Sequence, residues 1–117
     1  MVYICDTMKL YIDGCILSFM EKVNAKRYRF VHSIVGDSLK RECEAYCDAP
    51  TVTSPDEGIT MSTDNVNVLS GDFKEKFRSI TFPYGSMFST DNGKMSFRVK
   101  DSAGAIHWYS YIPVMEG

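Results

Sequence analysis

Between Glu42 and Asp72 the chain contains no lysine and no arginine. Seven acids fall in that stretch: Glu42, Glu44, Asp48, Asp56, Glu57, Asp64 and Asp72. The preceding stretch has the opposite bias, with Lys22, Lys26, Arg27, Arg29, Lys40 and Arg41 set against Asp37 alone. The whole chain carries 13 basic and 15 acidic residues, so a total charge near zero hides a divided sequence. A long apolar run is also missing. The most apolar window, Val2 to Met20, is broken by Asp6, Lys9 and Asp13, which excludes a helical membrane span and a signal peptide with an uninterrupted apolar region. No glycine-rich phosphate loop, His-Glu-x-x-His zinc motif or Gly-x-Ser-x-Gly elbow occurs, so no common catalytic class declares itself.

What is present is the composition of an ordinary globular protein. Hydrophobic residues make up 44% and charged residues 24% of the chain, which separates it from disordered sequences. A length of 117 residues predicts a single domain, 1–117, able to bury its own core. Without an export signal, the four cysteines Cys5, Cys15, Cys43 and Cys47 are expected to be reduced, and the protein cytoplasmic. No cofactor or metal site is expected. Cys43 and Cys47 have a spacing two thiolates can share on a helix, yet the further ligands, Cys5 with Cys15 or His32, have no paired spacing. Buried packing is the better reading for a free cysteine.

The C-terminal third carries the clearest structural pattern. In Lys94 to Lys100, the apolar residues Met95, Phe97 and Val99 alternate with Lys94, Ser96, Arg98 and Lys100, the period of a half-buried strand. Asn92-Gly93 before it accepts the positive φ of a tight turn, so Gly85 to Thr90 is expected to pair with it. Gly104 suits a second turn, and Ile106 to Ile112 forms a strand bulky on both faces, closed by Pro113. With Phe77 to Phe82 leading in, this predicts an antiparallel meander of three or four strands.

The N-terminal half is less regular. Val2 to Cys5 has the makings of a short strand. Met8, Ile12, Cys15, Ile16, Phe19, Met20 and Val23 recur at helical spacing, although Asp13-Gly14 is equally a hairpin signal. Tyr28 to Val35 has strand composition, with Gly36 as a competing helix cap. Leu39, Cys43, Tyr46 and Cys47 make a helical stripe that predicts a short helix capped by Asp37 or Ser38. A loop from Asp48 to Gly58 and a strand pair over Ile59 to Leu69, bent at Asp64-Asn65, complete the reading. The fold class expected is α+β, with one or two N-terminal helices packed on a mostly antiparallel sheet.

Three functions follow as expectations. The acidic stretch suggests a protein that blocks a basic macromolecular partner, such as a nucleic-acid-processing protein, by steric and electrostatic occlusion. Immunity and phage anti-defence proteins offer a functional analogy. Its contact residues would be Asp48, Asp56, Glu57, Asp64 and Asp72, with Tyr109 and Tyr111 as an aromatic patch if that face of their strand is uncovered. A small enzyme is the second, drawing on Cys43 with His32 or on His107 with Asp101. A nucleic-acid-binding module is the third, using Lys26, Arg27 and Arg29, extended by Lys94, Arg98 and Lys100.

Overall fold

In the computed structural model, residues 14–36, 40–55, 57–68, 78–83 and 86–115 are described. A helix, α1, covers residues 14–23. Among the described residues nine strands follow: β1 (Arg27–Val35), β2 (Lys40–Asp48), β3 (Thr51–Thr53), β4 (Gly58–Ser62), β5 (Val66–Val68), β6 (Ser79–Pro83), β7 (Met87–Ser89), β8 (Met95–Lys100) and β9 (Ile106–Val114). They form a six-stranded sheet in the order β5-β2-β1-β9-β8-β7 and a three-stranded sheet in the order β3-β4-β6, with antiparallel pairing throughout. The class is α+β, as the sequence predicts.

Alternation along β1 sets the layers. Tyr28, Phe30 and His32 are buried, whereas Arg29, Val31 and Ser33 on the other face are only partly so. The register carries each face across the large sheet: Phe30 lies opposite Ala45 on β2 and Tyr111 on β9, and Tyr111 lies opposite Met95 on β8. On the small sheet, Ile59, Met61 and Phe82 are buried, while Thr60 and Thr81 pair their hydroxyls at 2.8 Å on its exposed side. The buried face of the small sheet packs on the inner face of the large one. Phe82 stacks on Phe97 at 3.9 Å between centroids. α1 adds Ile16, fully buried, with Phe19, Met20 and Val23 against the same core. The helix closes at Asn24, whose N–H donates to Met20 O at 2.9 Å and whose φ is 47°, a left-handed ending that asparagine tolerates.

Several expectations change. Residues 40–48 are a strand, and the helix predicted there is absent: pairing with β1 along nine register positions favours alternation over the helical stripe. The predicted loop after Asp48 contains β3, and β4 and β5 belong to different sheets. β6 pairs with β4, so of the three or four strands expected in the C-terminal meander there are three, β7, β8 and β9. β9 continues through Pro113 to Val114, since a proline near a strand end forfeits one ladder bond only. The two predicted turns hold: φ is 63° at Asn92, 70° at Gly93 and 88° at Gly104. Gly14 lies in the helix and not in a hairpin. The strand expected at Val2 to Cys5 and the start of the helix lie outside the described residues. Among the described residues no helix is long and apolar enough to cross a membrane.

Candidate functional site

The outer face of the large sheet is built from the residues that alternate with the core. From β9 it takes Trp108, Ser110 and Ile112; from β1, Arg29, Val31 and Ser33; from β8, Ser96, Arg98 and Lys100, with Lys94 just before that strand. No described element packs over this face. A groove of about 530 Å³ runs along it, lined by Arg29, Val31, Lys94, Trp108 and Ile112 among others. At its floor Ser96 and Ser110 are buried, with their Oγ atoms 3.2 Å apart.

Trp108 is the large aromatic side chain that the sheet leaves open, at 42% exposure. The Arg98 guanidinium carbon sits 5.5 Å from its ring centroid, a cation–π distance. A second such pair, Arg27 over Tyr46 at 5.4 Å, lies at the other end of the same face. Arg29 donates from Nε to Glu44 Oε2 at 2.6 Å. Arg98, Lys94 and Lys100 have no carboxylate partner among the described residues. Described side chains on this face thus number five cations (Arg27, Arg29, Lys94, Arg98 and Lys100) against Glu44 and Asp48.

The residues predicted for partner contact are placed differently. Tyr111 is buried at 2% exposure and Tyr109 is half-buried, because both share the inner face with Phe30 and Phe97. Burial raises the pKa of both phenols. The tyrosine side of β9 therefore feeds the core, and the strand presents Trp108 instead. Asp48 accepts a hydrogen bond from Asn65 Nδ2; with Asp64 it lines a cavity of about 440 Å³ that also contains Arg27 and Arg78. Two arginines so close dilute the negative potential expected there. Glu57 is exposed beside β4, while Asp56 and Asp72 lie outside the described residues. Lys26 and Arg27 are exposed at the start of β1. Cys47 is a buried free thiol, and burial and the neighbouring Asp48 push its pKa up to about 11.

Of the catalytic pairings, the structure joins His107 to Asp101. Asp101 Oδ2 lies 2.9 Å from His107 Nε2, and His107 Nδ1 lies 2.9 Å from His32 Nε2. With both rings neutral, His107 donates to Asp101 and accepts from His32, forming a row from the surface to a histidine that is 8% exposed. His32 also stacks on the Tyr109 ring at 4.3 Å. The row can relay a proton. His32 and Cys43 are register partners across β1 and β2.

The hydrogen bond from His107 holds the Asp101 carboxyl below the usual carboxylate range, helped by the N–H groups of Ala105 and Ala103. A pKa depressed by folding stabilises the native state above the unfolded-state value and loses that contribution as pH falls through the folded value. Asp101→Asn keeps an acceptor for the turn but removes the titration. Thermal melts in acid are expected to show wild type losing its advantage over Asp101→Asn as pH falls through the carboxylate range; parallel curves would show that the bond adds nothing.

Sequence reasoning missed Trp108 as a surface anchor. A signal was available: once Lys94, Ser96, Arg98 and Lys100 are assigned outward, the hairpin at Gly104 sets Trp108 opposite Arg98. No family model matches the chain, and comparisons with curated proteins and with solved structures brought no match.

Proposed function

We propose that the protein is a small binding module that blocks a macromolecular partner by occlusion, without bond chemistry, and that its contact surface is the outer face of the six-stranded sheet. The observation that carries this reading is Trp108, open at the centre of a face that no described element covers, with Arg98 against its ring. Tryptophan and arginine are the residue types most often found to dominate binding energy when they anchor an interface. Val31 and Ile112 supply apolar surface beside Trp108, and the buried Ser96–Ser110 pair fixes the floor. Inhibitor, immunity and anti-defence proteins act by such occlusion. The acidic residues then serve orientation, with Glu57 and Asp64 exposed.

The test is affinity capture with immobilised protein, identification of what is retained, and measurement of that partner's activity with the protein present and absent. Trp108→Ala is expected to lower retention at least about tenfold, as a hot-spot truncation does, with little change in the urea midpoint. Glu57→Lys with Asp64→Lys is expected to leave retention within about twofold, the scale of a rim charge. The reverse result, loss with the acidic pair and none with Trp108→Ala, would return the contact surface to the acidic loops.

A further inference from the structure

Resting on the reading of the outer sheet face as the contact surface, we infer that its occupant is a single-stranded nucleic acid, held by stacking on Trp108 and by phosphate contacts along β8. Charge complementarity points this way. Lys94, Arg98 and Lys100 are free of carboxylate partners among the described residues and follow one another at alternate positions of an extended strand, with Ser96 between the first two. Alternate residues on a strand stand roughly 7 Å apart on one side, a row that an extended sugar–phosphate chain can follow. Arg98 Nε is itself buried and finds no acceptor among the described residues, and Nη1 lies 3.5 Å from Met87 Sδ.

The aromatic positions suit the same ligand. Trp108 offers an exposed ring beside this row. Tyr46 lies two strands away and, through their β1 partners Ser33 and Arg29, four residues along. That places the two aromatic–arginine pairs roughly 16 Å apart on one diagonal. A flat, sequence-tolerant surface of stacking rings and cations is the physical requirement for binding unpaired bases. A duplex satisfies the cations but cannot stack on Trp108. The carboxylates of an acidic protein segment would meet the same charges but are disfavoured at the electron-rich face of the ring.

The chain has a single tryptophan, so its fluorescence reports the site directly. The probe is oligothymidylate of about 12 nucleotides, within the site sizes of single-strand binders, titrated at low salt beside a duplex of equal length and polyglutamate. Oligothymidylate is expected to quench Trp108, and polyglutamate is not. Three phosphate contacts predict a logarithmic salt slope of about −2, or roughly 20-fold weaker binding on going from about 50 to 200 mM salt. With fluorescein-labelled oligonucleotide read by anisotropy, Lys94→Gln with Lys100→Gln should reduce the slope by about 1.4. Trp108→Ala should weaken binding about tenfold or more, and Trp108→Phe should restore most of it.

Absence of quenching at low salt, equal binding of duplex, or equal displacement by polyglutamate would each overturn the inference. If a protein is instead retained from lysate through Trp108 after nuclease treatment, the occluding function stands and the nucleic-acid occupant falls. If neither oligonucleotide nor partner depends on Trp108, both fail.

Discussion

Phe82→Ala is expected to lower the unfolding free energy by about 4 kcal/mol, within the range for deleting a buried phenylalanine ring. Phe82 is 1% exposed and, with Ile59 and Met61, joins the small sheet to the core of the large one. Its ring stacks parallel to Phe97 at 3.9 Å and meets Tyr109 edge-on at 5.1 Å. Truncation would leave a void that β8 and β9 of the opposite sheet and the backbone of β6 cannot easily collapse to fill. Domains are stable by only about 5–15 kcal/mol, so the loss removes a large share of the total. Urea unfolding read by circular dichroism checks it: the midpoint should drop with the slope little changed. A fall of no more than about 0.5 kcal/mol, the scale of a surface substitution, would show that the two sheets are not joined through this ring.

Gly58→Ala is expected to cost about 3 kcal/mol, at the upper end of overpacking. A Cβ on Gly58 would stand 2.1 Å from the Phe82 carbonyl oxygen and 2.7 Å from its carbon. These are backbone atoms of the neighbouring strand, which cannot swing aside as a side chain does. Gly58 is opposite Pro83 at the end of the β4–β6 pairing, so relief requires β6 to move and Phe82 with it. Combined with Phe82→Ala, the glycine substitution should therefore cost less than it does alone, because the ring it displaces is already gone. Additive costs in that double variant would separate the strand spacing from the packing of Phe82.

How much of this was legible in the sequence depended on distance along the chain. β8 could be read from its own alternation, and Asn92, Gly93 and Gly104 announced their turns because positive φ is a local demand. The Asp101–His107 contact spans six residues across one of those turns and was nameable beforehand. His32, 75 residues from His107, was not tied to that row. β2 misled because Cys43 and Cys47 sit at helical spacing, although Glu42, Cys43, Glu44, Ala45, Tyr46 and Cys47 also alternate by two; only β1 alongside decides between the periods. β9 is bulky on both faces, and which face is core depends on Phe30 and Phe97, residues of other strands. The candidate site suffered the same limit. From the sequence Arg27 and Arg29 could be grouped with Lys94, Arg98 and Lys100, while the face they share is set by the register of β1 against β9 and of β9 against β8.

That register also orders events in time. The large sheet is joined at its centre by Arg27 opposite Val114 and Val35 opposite Ile106, so its middle seam awaits residues made long after β1. During synthesis, β1 and β2 can form a hairpin, but one flank of β1 stays open until β9 emerges. Such distant pairing places folding among the slower small domains, in the millisecond-to-second range. The nascent hairpin meanwhile exposes the hydrogen-bonding flank that attracts chaperones and other chains.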